Sequence, residues 1–350
     1  MLHFLREILT PRQREAIKNL ARDIVYYSWR FLSPYRKSIN PRDIKKVLVI
    51  NLGVIGDLIV TTPMIKALAR KYSKVDVLMR KDMAEILSGN PHINKLIFYT
   101  NFNDVLRQIK GRYQLAIIFS PHKYEIKKLC MDAGIKYAVC NSFSYSWSDI
   151  FLSQRTREDP DEHFVLKSLD MAKLAHADLK NPKTEFYFSR KDEDYVNRLL
   201  KKNKIDKFIV IHAGKRGNLQ RFFWPSENWA EVIKYAAKKY KLKVILSGSV
   251  SERERNKEIL SLSDPKHTFN FCEKTNLKQW ACLIKKSKLL ISLNTGATHI
   301  ASAFNTKTIV LNEEFPENWH PWMRAENYRN LLFPAVAKVE KAVDELLKYT

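Results

Sequence analysis

Short apolar runs alternate with amphipathic helical patterns along most of this chain of 350 residues. In the first half, each strand-like run is followed by a segment whose apolar residues recur at helical spacing. A second series with the same order begins near residue 208. The strand-like runs are Val47–Asn51, Val75–Met79, Lys95–Tyr99, Leu115–Phe119, Lys136–Cys140, Phe208–His212, Val244–Ser247, Leu289–Leu293 and Thr308–Leu311. This repetition predicts an α/β protein with two doubly wound, Rossmann-like domains that face each other across a cleft.

The domain boundaries follow from where this rhythm stops. A polar, charged stretch predicts a linker near residues 185–205, so we expect a first domain at residues 41–190 and a second at residues 191–335. Residues 336–350 predict a C-terminal helix that packs back on the first domain. Its apolar stripe consists of Val339, Val343, Leu346 and Leu347.

Residues 1–40 form a separate N-terminal extension with the pattern of a basic amphipathic helix. The apolar stripe is Ile17, Leu20, Ala21, Ile24, Val25 and Leu32. Basic and aromatic side chains such as Lys18, Arg22 and Trp29 surround it. Such a helix can lie on an anionic membrane surface, or it can pack its stripe against the protein itself. The pattern leaves both alternatives open.

The net charge narrows the class of partner. Lys and Arg together number 61 against 37 Asp and Glu, which gives a formal net charge of +24. This excess favours polyanions, anionic membranes or phosphorylated substrates. Because the basic residues are spread along the chain without a long basic block, we expect no nucleic-acid partner.

The cysteine pattern and hydropathy indicate the compartment. The four cysteines contain no C-x-x-C pair, which favours a reducing environment. No run of about 18 apolar residues and no signal-peptide pattern is visible. We therefore expect a cytoplasmic protein, with peripheral association at the inner face of the membrane if the N-terminal extension binds lipid.

A turn with two glycines follows the first strand and ends in a carboxylate. Gly53 and Gly56 allow the backbone to pass close to a bulky group, as at the opening of a nucleotide-binding unit. The spacing is neither G-x-G-x-x-G nor a P-loop, and the carboxylate of Asp57 would repel a phosphate. Asp57 is therefore predicted to serve a different group, or to be a helix-cap carboxylate.

Three loops of the second domain carry polar groups to the same predicted edge of the sheet. The loop after residue 212 supplies basic side chains, the next supplies Glu252, and the last opens a small-residue helix. A helix N-terminus offers backbone N–H groups to a diphosphate. The candidate donor-binding residues are Lys215, Arg216, Arg221, Glu252, Asn294, Thr295, Gly296 and His299. For Glu252 and His299, a first-turn residue and a structural histidine are the alternatives.

A carboxylate that faces a phosphate-binding half suits the transfer of a sugar from a nucleotide diphosphate. The attacking hydroxyl needs a base, and the leaving diphosphate needs positive groups. Asp57 would accept the proton late, once the sugar centre has oxocarbenium character. The D-x-D pattern at Asp159 and Asp161 follows no strand, so we interpret it as a solvated loop and expect no metal.

Several short motifs, in their order along the chain, carry a resemblance to a known family. The motifs are Gly56-Asp57 with Thr62-Pro63, Trp224-Pro225, Gly248 to Glu252, Thr295-Gly296 with His299, and Trp319-His320-Pro321. Over residues 45–335 the chain resembles the heptosyltransferases of lipopolysaccharide core synthesis, glycosyltransferase family nine, which have the GT-B fold.

This resemblance implies an inverting, metal-independent enzyme that uses no cofactor. It implies a donor, ADP-L-glycero-D-manno-heptose, and a lipid-linked acceptor, lipid A–Kdo or heptosylated core. By resemblance Asp57 is the catalytic base and Glu252 contacts the nucleoside. Thr295, Gly296 and His299 correspond to the donor-binding loop.

Two positions depart from the family pattern. Asn294 stands where the family has an aspartate, and Phe222 stands where it has a lysine for the diphosphate. Asparagine can still bind hydroxyls, but phenylalanine cannot bind phosphate, so Lys215, Arg216 or Arg221 would take that role. The alternatives are a same-fold enzyme with another nucleotide sugar and a non-catalytic nucleotide- or nucleic-acid-binding protein.

Overall fold

The fold is taken from a computed structural model of the full chain. It describes residues 38–119, 124–141, 147–156, 159, 161–214, 224–313 and 318–348, with Ile24 and Ser28 as isolated positions. Nearly all of the predicted N-terminal extension therefore lies outside the described residues.

The first domain is built on a six-stranded parallel sheet with the order β3-β2-β1-β4-β5-β6. Its strands are β1 Val47–Asn51, β2 Val75–Met79, β3 Lys95–Phe98, β4 Leu115–Phe119, β5 Tyr137–Asn141 and β6 Gln154–Thr156. Its helices are α1 Ile55–Val60, α2 Thr62–Tyr72, α3 Ala84–Leu87, α4 Phe102–Ile109, α5 Tyr124–Asp132 and α6 Phe164–Leu174. Short 3₁₀ turns at Pro41–Asp43, Lys81–Met83 and Trp147–Phe151 complete this half.

The second domain repeats the plan with the strand order β12-β11-β10-β7-β8-β9, again parallel throughout. Its strands are β7 Phe208–His212, β8 Lys243–Leu246, β9 Thr268–Asn270, β10 Leu290–Leu293, β11 Thr308–Asn312 and β12 Tyr328–Leu332. Its helices are α7 Arg190–Lys202, α8 Ser226–Tyr240, α9 Arg253–Leu262, α10 Leu277–Lys286, α11 Gly296–Phe304 and α12 Val336–Leu347. The predicted α/β fold with two doubly wound sheets is confirmed.

The first four residues of the central strand β1, Val47–Ile50, are all apolar. Val47 and Val49 pack into the cluster on one face of the sheet, and Leu48 and Ile50 pack into the cluster on the other face. A parallel strand with helices on both sides has no solvent-facing positions, so alternation with polar residues is absent. Because β1 is held in the centre of the sheet, the turn after Asn51 begins at a defined position.

One apolar cluster joins the two domains. It contains Val49 of the first sheet, Leu290 of the second sheet, and Ala297 and Ile300 of α11. The helices α1 and α11 pack against each other, as do α3 and α10. The cleft edges of the two domains are therefore in direct contact.

The C-terminal helix α12 packs on the second domain, against α8 and strands β11 and β12. The prediction that it returns to the first domain is therefore wrong. Only a short connection separates it from β12, so the stripe of α12 reaches the apolar cluster of its own sheet first. Asp344 strengthens this contact by accepting hydrogen bonds from Tyr235 at 2.8 Å and Tyr240 at 2.6 Å.

Within the described residues, no helix combines the length and apolarity that crossing a bilayer requires.

Candidate functional site

The turn after β1 is organised by Asn51 and Asp57. The Asn51 Oδ1 accepts a hydrogen bond from the Gly53 N–H at 3.0 Å, and its Nδ2 donates to the Asp57 carbonyl at 2.9 Å. The Asp57 Oδ2 accepts from the Val54 N–H at 2.8 Å, so this half-buried carboxylate does cap α1. Because an ionised carboxylate has about four acceptor positions, the cap and the binding of a hydroxyl are compatible.

Gly53 is required by the side chain of Asp57. A Cβ built at position 53 would lie 2.5 Å from both Cγ and Oδ2 of Asp57. The bulky group that requires a glycine at position 53 is thus the carboxylate of Asp57, in the same turn. The sequence indicates a close approach at this position but does not identify what approaches.

The opposite wall is the loop between β10 and α11. Thr295 is the N-cap of α11, and its Oγ1 accepts from the Ala297 N–H at 3.4 Å. Further along the helix, His299 is 2% exposed, and its ring meets Trp319 edge-on with centroids 5.1 Å apart. The N-terminal end of α11 is thus held by a side-chain cap and by the contact of the His299 and Trp319 rings.

The two loops touch across the cleft. A Cβ built at Gly296 would lie 2.9 Å from Cβ and Cγ2 of Ile55. A Cβ built at Gly56 would lie 2.9 Å from Cδ2 of His299 and 3.0 Å from Cζ2 of Trp319. The structure thus places the turn that carries Asp57 directly against the helix that begins at Gly296.

Beside this contact lies a cavity of about 520 Å³. Residues from five segments line it: Ile55 from the first domain, His212 at the end of β7, Gly248–Val250 with Glu252, Glu273 and Thr275–Leu277 with Trp280, and Thr295 with Gly296. These segments lie at or after the ends of β1, β7, β8, β9 and β10, as expected for the carboxyl ends of parallel strands. Asn294 is half-buried next to this lining but is not among the described residues that form it.

Glu252 is a buried carboxylate in the wall of this cavity, 6% exposed. Its Oε2 accepts from the N–H and the hydroxyl of Ser249 at 2.7 and 2.8 Å, and its Oε1 accepts from the Ser251 hydroxyl. Burial alone would raise the pKa of Glu252, but these hydrogen bonds outweigh burial and hold it below its ordinary value. Glu252 therefore lines the cavity as an ionised, preoriented acceptor and is also a local cap.

Several residues of the cavity are not among the predicted site residues, His212 and Trp280 among them. The buried His212 ring lies 4.9 Å from that of Trp280, centroid to centroid. Burial lowers the pKa of His212, although the nearby Glu252 carboxylate acts in the opposite direction. His212 is visible as the last residue of a strand, whereas Trp280 lies within α10 and follows no glycine-bearing loop.

The remaining predicted groups are placed as follows. Lys215, Arg216 and Arg221 lie outside the described residues. Strand β6, Gln154–Thr156, ends shortly before Asp159, so the prediction that no strand precedes the D-x-D pattern is wrong. Asp159 and Asp161 are exposed, as expected for a solvated loop, and Asp159 Oδ1 accepts from the Asp161 N–H at 3.0 Å, which forms a local turn. In the described part of the chain, no three His, Cys, Asp or Glu side chains converge to hold a metal ion. The expectation of a metal-independent site stays a prediction.

A sequence model described as Glycosyltransferase family 9 (heptosyltransferase) matches residues 126–346, well over half of the chain. The chain belongs to this family. The match includes Glu252 and the segment Asn294–His299, but it begins after the turn of Asp57. Asp57 lies in the turn that touches α11 but is not among the described residues that line the cavity, so its role in this family 9 glycosyltransferase stays a prediction.

Similar proteins and solved structures are also family 9 glycosyltransferases or heptosyltransferases. The Lipopolysaccharide core heptosyltransferase OpsX of Haemophilus influenzae is 25% identical over 299 residues, 82% of this chain and 83% of the relative. The solved family 9 glycosyltransferase of Veillonella parvula has a TM-score of 0.78 at 17% identity, covering 87% of this chain and 98% of that one. The E. coli ADP-heptose LPS heptosyltransferase II has a TM-score of 0.73 at 20% identity, covering 87% and 99%. At these identities the solved structures show the shared fold.

Proposed function

We propose that the chain is an inverting glycosyltransferase that moves a heptose from ADP-L-glycero-D-manno-heptose to a lipopolysaccharide inner-core acceptor. The contact between the turn of Asp57 and the N-terminal end of α11 is the observation that carries this proposal. It brings a carboxylate and a diphosphate-binding helix end to one edge of the cleft. The names of the relatives suggest the donor and the class of acceptor.

In this proposal the donor occupies the 520 Å³ cavity. The nucleoside lies near Glu252, whose carboxylate can accept hydrogen bonds from hydroxyl groups. The diphosphate lies at Thr295 and Gly296, at the N-terminal end of α11, where the helix dipole favours an anion. Lys215, Arg216 and Arg221 are expected to neutralise the remaining charge of the diphosphate.

Asp57 acts as the general base. As the acceptor oxygen attacks the anomeric carbon, the carboxylate takes the hydroxyl proton. The bond between that carbon and the diphosphate oxygen breaks, and ADP leaves with the electron pair. Attack on the face opposite ADP inverts the configuration, and no cofactor or metal takes part.

The acceptor is proposed to be lipid A–Kdo or heptosylated core, which is bound to a membrane. The enzyme would therefore work in the cytoplasm, at the inner face of the membrane. Residues 1–40 supply a basic amphipathic pattern suited to an anionic surface. Deletion of residues 1–40 should weaken cosedimentation with anionic vesicles, and unchanged cosedimentation would contradict this membrane role.

Replacement of Asp57 by Asn tests the mechanism. Asn keeps an oxygen that can cap the Val54 N–H, but it cannot take up a proton at neutral pH. We expect kcat to fall at least about 100-fold, the usual contribution of a general base, with ADP binding by calorimetry nearly unchanged. The exposed Asp161→Asn is the matched control and should keep wild-type turnover. Retained turnover in Asp57→Asn would exclude Asp57 as the base.

A thermal-shift screen of nucleotide sugars tests the donor. ADP-heptose should raise the melting temperature more than other nucleotide sugars at equal concentration, because it binds the folded state. A larger shift with a different sugar nucleotide would support the alternative donor that Asn294 and Phe222 permit. The turnover test of Asp57 would then be repeated with that donor.

A further inference from the structure

A second cavity, of about 780 Å³, lies where the two domains are joined, and we call it the junction cavity. Its walls come from residues 181–183 before β7, from residues 302–305 at the end of α11, and from residues 320 and 322–324. The nine residues of α11 span about 13 Å. The start of α11 lines the 520 Å³ cavity, which we call the donor cavity, and its end lines the junction cavity. The two cavities are therefore separate.

The walls of the junction cavity are held by specific contacts. The Trp322 Nε1–H donates to the Pro182 carbonyl at 2.9 Å. The buried hydroxyls of Thr184 and Ser302 lie 3.0 Å apart. The His320 ring stacks on Tyr328 with an interplanar angle of 8°. Because these contacts tie the connecting segment to the second domain, the cavity has a defined shape.

The chemistry of the lining differs from that of the donor cavity. Trp322, Phe304 and Met323 give it apolar surface, and Lys183 and Arg324 add two exposed cations. Among the described residues, no carboxylate lines it, whereas Glu252 and Glu273 line the donor cavity. Within the same part of the chain, Lys183 has no ion pair, and the ion pair of Arg324 with Glu326 is long, at 3.7 Å, and exposed. Exposed pairs of this kind contribute little, so Arg324 is available to a ligand.

We propose that the junction cavity is a second binding site, for a small organic anion with an aromatic or aliphatic body. The anionic group lies between Lys183 and Arg324, where a planar guanidinium can bind a carboxylate, sulfonate or phosphate with two hydrogen bonds. The body packs on Trp322 and Phe304. Such a ligand touches both the segment that joins the domains and the second domain itself.

The aromatic sulfonate 8-anilinonaphthalene-1-sulfonate serves as the probe, added to the full-length protein and followed by its fluorescence. We expect saturable binding to one site. In the double variant Lys183→Glu, Arg324→Glu, the Kd should rise at least about tenfold, because attraction becomes repulsion. The matched control is Lys71→Glu, Lys338→Glu, which makes the same charge change at exposed helix positions. The Kd of the control should stay within about twofold, because distant surface charges are screened.

Two results would overturn the proposal: the absence of saturable binding, or an equal change of Kd in both double variants. Circular dichroism and the melting temperature verify that each variant is folded. If the double reversal does not fold, Arg324→Gln keeps the size of the side chain and should still weaken binding several-fold. An unchanged Kd in folded Arg324→Gln would then decide against the site.

Discussion

Gly56→Ala adds one methyl group at the contact between the turn of Asp57 and the second domain. The methyl carbon would lie 2.9 Å from Cδ2 of His299 and 3.0 Å from Cζ2 of Trp319. Carbon atoms normally approach to about 3.5–4.0 Å, so the two loops must separate by roughly 0.5–1 Å. The Trp319 ring cannot easily retreat, since it also meets Phe164 edge-on with centroids 4.4 Å apart.

The effects on stability and on activity should differ in size. Alanine gains up to about 1 kcal/mol over glycine in a helix, and overpacking costs about 1–3 kcal/mol. The net loss of stability is therefore modest, no more than about 3 kcal/mol. A misplacement of about 1 Å can lower the rate about 100-fold. We expect kcat/KM to fall roughly 10- to 100-fold, with a melting temperature only a few degrees lower.

The assay is the initial rate of ADP release from ADP-heptose with a truncated core acceptor, measured beside thermal unfolding. Val54→Ala is the control, because it shortens an exposed side chain of the same turn and adds nothing at the contact. Combining Gly56→Ala with Trp319→Phe should restore part of the lost rate by making room for the methyl group. A Gly56→Ala enzyme with wild-type kcat/KM and higher stability would refute the reasoning that this contact positions the site.

Three further predictions concern buried polar groups. Burial lowers the pKa of His163 to about 4, so the folded state disfavours its proton, and stability should fall as the pH drops from about 6.5 toward 4. Between pH 7.5 and 5, the free energy of unfolding of the wild type, measured with urea, should fall by about 2 kcal/mol more than that of His163→Asn. An equal pH dependence of the two proteins would contradict this. In the wild type, the fully buried Asp149 lies 2.5 Å from Lys127. Lys127→Met removes this partner and should lower the free energy of unfolding by about 3–5 kcal/mol in the same assay. Glu252→Gln should weaken ADP binding measured by calorimetry about tenfold, since its NH2 group replaces one carboxylate oxygen and cannot accept a hydrogen bond from the Ser251 hydroxyl or from a ligand; equal affinity would exclude a direct role.

The parts of the fold that are predictable from the sequence are those buried on two sides. Strands such as β1 and β7 are buried over their whole length and apolar except at the last residue, and their length and spacing define both sheets. The edge strands β6, β9 and β12 are partly exposed and two of them have only three residues, so they lack an apolar run. Each of them pairs on one side only, with the strand that precedes it in the chain, and no local pattern records that pairing.

The candidate site shows a similar division. Glycines and polar residues after strands predict which loops meet, because parallel strands end at one edge. The stripe of α12 predicts that the helix is packed but not on which domain, since two apolar surfaces compete for it. Trp280 reaches the cavity from within α10, and only the packing of that helix places it there. Roles in catalysis stay predictions for each of these residues.

The apolar cluster that contains Val49, Leu290 and Ala297 also determines how the molecule melts. Neither domain can unfold without exposing apolar surface of the other, so heating should produce a single calorimetric peak. Added salt should have little effect on the association of the two domains, because salt screens charges and this interface consists of apolar contacts.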